Sequence, residues 1–158
     1  MGTIEHIFIA PQPGAPMVAL TEVEAITDRG LAGDRNANDR SSKSPGQQLT
    51  LIEGEFIAAY NAEPQHAAHP LALHEPRRNL VTRGVRLNDL CGTRFRIGEI
   101  EVEGVKLCEP CATFERRTHA GIVKFFTQKG GLRARIVRGG TLRVGDAIHA
   151  ASATTAAT

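Results

Sequence analysis

Aromatic residues are scarce in this chain. They make up 4% of 158 residues, with one tyrosine and no tryptophan. A protein that binds single-stranded nucleic acid by stacking bases needs more of them. An excess of either charge is also lacking. Nineteen Lys and Arg against 17 Asp and Glu leave a formal net charge of +2. That is too little to hold DNA, RNA or an anionic membrane by its field alone. No apolar run approaches the ~20 residues of a membrane-spanning helix. The opening Met1-Gly2-Thr3-Ile4-Glu5 has neither the basic nor the apolar segment of a secretory signal, and His6 stands where a myristoylation signal has Ser or Thr. Cysteine is limited to three residues, an odd number that argues against a disulfide framework. Together these absences predict a cytoplasmic protein with reduced thiols and neither a nucleic-acid nor a membrane partner.

A hydrophobic fraction of 41% and a charged fraction of 23% are ordinary for a globular chain. The length suits one domain over residues 1–149, with a small, polar tail over 150–158 that is expected to fray. Strands are read over 3–10, 18–26, 48–52, 79–82, 93–97, 100–107, 132–137 and 142–148. They are rich in β-branched residues and punctuated by Gly and Pro turns. Helical spacing appears over 53–60 and 118–128, the latter with Gly130 as its C-terminal cap, and a helical turn over 87–90. Strands and helices do not alternate regularly, so a doubly wound sheet is disfavoured. The fold class is mainly β (α+β), a barrel with a few short inserted helices.

The chemistry centres on Cys108-Glu109-Pro110-Cys111. Two thiols at this spacing can share a metal, close a disulfide or pass on sulfur. A structural zinc site needs four ligands, and there is no second Cys-x-x-Cys; Cys91 and His119 do not complete a common knuckle. A thioredoxin-like dithiol belongs at a helix N-terminus in a βαβ unit, whereas this pair follows a late hairpin. The bland alternative, two small buried hydrophobes, suits Cys108 better than Cys111. Arg116 and Arg117 lie close downstream of Cys111, and a cationic setting favours a thiolate.

A second constellation is Arg77-Arg78-Asn79-Leu80-Val81-Thr82-Arg83, whose arginines, Asn79 and Thr82 are donors suited to an oxyanion. A third runs from Gly131 through Arg133 to Gly139 and Gly140, where glycines permit close backbone approach to a ligand or simply form turns. Asp34 and Arg35 follow Gly33 and either cap a turn or line a pocket mouth. His66, His69 and His74 share a loop, which reads as solvated rather than metal-binding. Walker A, G-x-S-x-G and H-E-x-x-H patterns are absent.

In order, Gly33-Asp34-Arg35, Gln48 to Ile52, Arg78 to Val81, Gly92 to Gly98, Cys111 and Gly131 to Asp146 resemble a MOSC domain, the module at the C-terminus of molybdenum-cofactor sulfurases. The resemblance covers roughly residues 3 to 149. It implies a MOSC-type β-barrel whose key cysteine, here Cys111, carries sulfur or ligates molybdenum, with Cys108 as an accessory. It also implies a molybdenum cofactor (molybdopterin) held near Arg78 and Asn79, and reduction of N-hydroxylated compounds. The chain shows no ferredoxin-like domain, so reduction implies a separate electron donor. It shows no pyridoxal-phosphate site either, so a sulfur-carrying role implies a cysteine desulfurase or cofactor-biosynthesis partner. The alternatives are a persulfide-bearing sulfur carrier and a non-enzymatic module that binds or delivers an anionic cofactor.

Overall fold

The β-branched run at the N-terminus forms β1 (Gly2–Ile9), the strand on which a barrel closes. The computed structural model describes residues 2–38, 47–109, 115, 116, 118 and 121–150. The remaining strands are β2 (Val18–Leu20), β3 (Glu22–Ile26), β4 (Gly30–Leu31), β5 (Leu49–Glu53), β6 (Leu80–Arg83), β7 (Arg94–Ile97), β8 (Ile100–Leu107), β9 (Leu132–Arg138), β10 (Gly140–Arg143) and β11 (Ala147–Ala150). Helices are α1 (Arg35–Asn38), α2 (Gly54–Ala62) and α3 (Ile122–Phe126).

Hydrogen bonding runs β11-β7-β8-β9-β5-β6-β1, and pairing of β1 with β11 closes seven strands into a barrel. β2 extends from the far end of β1, and β10-β3-β4 form a separate small sheet. Every barrel pair is antiparallel except β5–β6. A parallel pair needs a long crossover, which α2 and the 63–79 segment supply.

Side chains alternate along the strands. Leu132, Ala134 and Ile136 of β9 and Ile100 and Val102 of β8 fill the barrel interior with Leu49, Leu51, Leu80 and Phe95. In β1 the residues in this core are Ile4, Ile7 and Ile9, and the step from Ile4 to Ile7 is an odd spacing that plain alternation forbids. A register shift between Ile4 and His6 restores it, because a bulge adds one residue and resets the parity. A second cluster lies outside the barrel. Phe8, Ile52 and Val81 point outward and are covered by Ile57 and Tyr60 of α2, Leu71, and Ile122 and Phe126 of α3.

The expected strand over 18–26 is two strands. The chain leaves the barrel sheet at Thr21 for the small sheet, and the Thr21 carbonyl accepts the Val144 N–H at 2.9 Å. The expected helix over 118–128 is described only as α3, and its end is not capped by Gly130. The cap is Thr127, and Gln128 takes the left-handed conformation with φ 63°.

At the end of β5, Glu53 accepts the Leu87 N–H at 3.2 Å, and neighbouring Glu55 accepts that of Gly84 at 2.7 Å. Burial pushes the Glu53 pKa above its ordinary value of 4.5, and the Glu55 charge adds to the shift. Between the unfolded and the raised folded pKa, the folded state holds a proton that the unfolded chain has released. The contribution is unfavourable above the folded pKa and vanishes below the unfolded one. Glu53→Gln, which keeps the acceptor, should be at least as stable as the parent at pH 7. The difference should disappear below about pH 4 in urea titrations.

Candidate functional site

The outer face of β8, β9, β5, β6 and β1 gathers some of the residues singled out in the sequence, Arg133 and Asn79 among them. Because Leu132 and Ala134 point inward, Arg133 points outward, and it pairs with Lys106 of β8 on one side and Thr50 of β5 on the other. Thr50 in turn meets Asn79, just before β6. The Asn79 amide oxygen accepts the Thr50 N–H at 3.1 Å and its hydroxyl at 3.2 Å, and the Asn79 N–H donates to the Thr50 hydroxyl at 2.9 Å. The amide nitrogen of Asn79 donates to the Phe8 carbonyl at 3.1 Å and reaches Asp34 at 3.4 Å.

Asp34 is fully buried and accepts the Ala10 N–H at 2.9 Å. Arg35 lies beside it at 3.8 Å. This network joins the tips of β1, β5 and β6 to the loop before α1. The hydrogen-bonding groups of the Asn79 amide are engaged within the protein, so Asn79 shapes the wall rather than presenting itself to a ligand.

Arg78 and the cysteine segment meet on consecutive carbonyls. The Arg78 guanidinium donates through Nε to the Gly130 carbonyl at 3.0 Å and through Nη1 to that of Pro76 at 2.9 Å. The Cys108 N–H donates to the Gly131 carbonyl at 2.7 Å. Residues 30 apart in sequence are thus held at one corner by the two glycines before β9. Gly131 has φ 108°, and a side chain there would run into the Leu51 carbonyl, so the corner requires glycine.

The Cys108 thiol is buried, at 1% exposure, which removes it from solvent and from exchange with an outside partner. Cys111 lies outside the described residues, as do Arg117, His119 and the 39–46 loop. The flanks of Cys111 are described. Glu109 accepts the Gln128 N–H at 3.0 Å, and Glu115 accepts that of Val123 at 3.0 Å. Glu109 and Glu115 are therefore both bonded to the region of α3.

Next to this corner opens a cleft of about 400 Å³. Its lining combines apolar Phe8, Pro16, Met17 and Ala19 with polar His74, Glu75, Arg77 and Thr118, and the Phe8 and His74 rings meet edge to face at 6.3 Å. Thr118 belongs to the chain just downstream of Cys111 and Arg77 to the arginine run, so the cleft adjoins both. Arg77 has φ 59°, a left-handed conformation that costs a bulky residue ~1 kcal/mol or more.

Other expected site residues lie elsewhere. Thr82 follows the opposite parity from Asn79 and Val81 along β6, and its hydroxyl contacts the Ile52 carbonyl at 3.4 Å. Gly139 and Gly140 belong to the junction with the small sheet, against Ala25, Thr27 and Glu99. Of the three loop histidines, His66 stacks on Tyr60 with centroids 3.7 Å apart, and His74 reaches the cleft. Lys106, Thr50 and Phe8 were not singled out as site residues. Strand pairing brings Lys106 and Thr50 beside Arg133, and pairing is not a local property of the sequence. Among the described residues no group of three or more His, Cys, Asp or Glu side chains is arranged to hold a metal ion.

A family model for the MOSC domain matches residues 38–149. The chain belongs to the MOSC domain family. Solved structures share the fold. The YUAD protein from Bacillus subtilis has a TM-score of 0.75 at 16% identity, over 96% of this chain and 98% of that one. YiiM from Geobacillus stearothermophilus has a TM-score of 0.72 at 12% identity, over 96% and 76%. YiiM from Escherichia coli has a TM-score of 0.68 at 20% identity, over 95% and 70%. At such identities the likeness speaks for the fold alone. No curated protein matches the chain. The MOSC match begins at residue 38, yet β1 lies before it and closes the barrel. No helix among the described residues is long and apolar enough to cross a membrane.

Proposed function

We propose that this MOSC protein binds a molybdenum cofactor, with Cys111 as the protein ligand to the metal, and supports reduction of N-hydroxylated compounds together with a separate electron donor. The observation that carries the reading is the convergence of Arg78 and the cysteine segment on Gly130 and Gly131, beside a cleft lined by Arg77 and Thr118.

The residues present fit such a group. A metal that arrives chelated by the sulfurs of its own pterin needs one protein thiolate rather than a cluster of protein ligands. Lys106 and Arg133, paired on one outer face, offer cations for the cofactor phosphate. When bound, the cofactor supplies two-electron redox chemistry at its metal. The chain's own part is binding and orientation. These cations balance the phosphate charge, the Asn79–Thr50–Asp34 network holds the wall that carries them, and the cleft receives the N–O compound with water largely displaced.

Molybdenum and pterin content of the purified protein test this. Both should be present in the parent, reduced to background in Cys111→Ser, and absent after expression in a strain that cannot make molybdopterin. Metal content insensitive to either change removes the reading. If a persulfide is found on Cys111 of a metal-free parent protein instead, the protein is a sulfur carrier.

A further inference from the structure

Two overlapping turns bring His74 to the cleft. The Glu75 N–H donates to the Ala72 carbonyl at 3.1 Å, and the Glu75 Oε1 accepts the Ala72 N–H at 2.7 Å. The Arg77 N–H then donates to the His74 carbonyl at 3.0 Å, and the positive φ of Arg77 closes this second turn. The His74 ring rests edge-on against Phe8, with centroids 6.3 Å apart. Phe8 is itself held at both backbone groups, its N–H by the Asn79 carbonyl at 2.7 Å and its carbonyl by the Asn79 amide at 3.1 Å. The imidazole is thus placed by its own turn and by a fixed ring.

Neither imidazole nitrogen of His74 has a hydrogen-bond partner among the described residues. His66 differs: its Nδ1 lies 2.8 Å from the Tyr60 carbonyl. His74 is also exposed to solvent. The charged residues of its own turn are Glu75 and Arg77; β2 has none. β1 brings His6, stacked on Phe8 at 6.0 Å, and the segment of Thr118 holds Glu115, bonded to the Val123 N–H, and Arg116.

Reduction of an N-hydroxylated compound consumes protons. Its N–O bond breaks as two electrons arrive from the electron donor; one proton goes to the leaving oxygen, a second to nitrogen, and water departs. Hydroxide leaves poorly, so a proton delivered to the oxygen as the bond breaks speeds the step. Few groups in the cleft can supply it. Phe8, Pro16, Met17 and Ala19 carry no transferable proton. A guanidinium keeps its protons at any working pH, and a carboxyl group has ordinarily lost its own at neutrality. A threonine hydroxyl is too weak an acid. Histidine is the residue type that both holds and gives up a proton near neutral pH. We infer that His74 is the general acid of the cleft: a protonated ring nitrogen gives its proton to the leaving oxygen, and solvent restores it. The inference rests on the reductase reading.

The test uses the cofactor-loaded full chain with an electron donor and benzamidoxime as probe. His74→Gln and His74→Gly should each lower kcat by about 100-fold, with KM changed less than about threefold and molybdenum content unchanged. Added imidazole should raise the rate of His74→Gly by about tenfold or more and leave that of the parent unaltered. Binding is read separately by NMR: the His74 ring resonance, assigned by its loss in His74→Gln, should shift when benzamidoxime is added to the parent. An unchanged kcat in either variant, a loss that imidazole does not rescue, or a ring resonance that does not shift overturns the inference and leaves the reductase reading standing. A parent that holds no molybdenum and reduces nothing removes that reading, and the inference with it.

Discussion

Replacing Gly131 by alanine should cost at least about 3 kcal/mol of folding stability and lower the melting temperature by roughly 10 °C. The added Cβ would run into the Leu51 carbonyl, and φ 108° is unfavourable for any L side chain. The obstacle is backbone on a central barrel strand, so no side-chain rotation relieves it. β5 would have to move, and with it its pairing to both β6 and β9. The Cys108 N–H bond to the Gly131 carbonyl would be lost as well. Gly121→Ala is the control. Its φ is 94°, but nothing lies within 4 Å of the added carbon, so it should cost only ~1 kcal/mol, the price of the conformation. Thermal melts of the two variants that agree within error would show that steric exclusion at residue 131 is not what the structure implies.

Asn79→Ala should destabilise by about 2–4 kcal/mol, because it strands the buried Thr50 N–H and the Phe8 carbonyl together. The informative partner is Asn79→Asp. A carboxylate can still accept from Thr50, but its second oxygen would replace the amide nitrogen that now faces the Phe8 carbonyl and, at 3.4 Å, Asp34. Two acceptors would then oppose that oxygen, one of them from a fully buried aspartate. Asn79→Asp should therefore be no better than Asn79→Ala at neutral pH, and it should recover as the pH falls and a carboxyl group in the pair takes up a proton. Denaturant unfolding at pH 7 and pH 5 reads this directly. A neutral Asn79→Asp at pH 7 would mean that the amide is oriented the other way. A double-mutant cycle of Asn79→Ala with Thr50→Val should give a coupling energy of about 1 kcal/mol or more.

These effects show which features of the chain were legible before folding. Elements whose signal is local read correctly: the hairpin of β7 and β8 across Gly98-Glu99, and α2 after a short strand. Their spacing and turn residues act over a few positions. The strand expected over 142–148 is instead the end of β10 and the start of β11, in different sheets, with Gly145 between them. The split at Thr21 did not read, because both halves have strand composition and only their partners differ, β1 for one and β10 with β4 for the other. The odd spacing of Ile4 and Ile7 likewise makes sense only with β6 alongside.

For the site, residue type and tertiary placement contributed different parts. Composition and motif order determined a β-barrel of the MOSC family, and put forward the arginine run and Cys111 as candidates for its chemistry. Only tertiary structure separated neighbours that look alike in the chain. Arg78 joined the scaffold and Arg77 the cleft, because one backbone rotation divides them. Asn79 became a joint between strands, and Cys108 a buried thiol. Gly131 stands where a side chain would meet the Leu51 carbonyl, whereas the Gly139-Gly140 pair belongs to a junction with another sheet. The reason is physical. A donor or thiol states what chemistry is available, but whether it meets a ligand or another part of the protein depends on strand register and barrel closure, which bring together residues as far apart as Phe8 and Asn79.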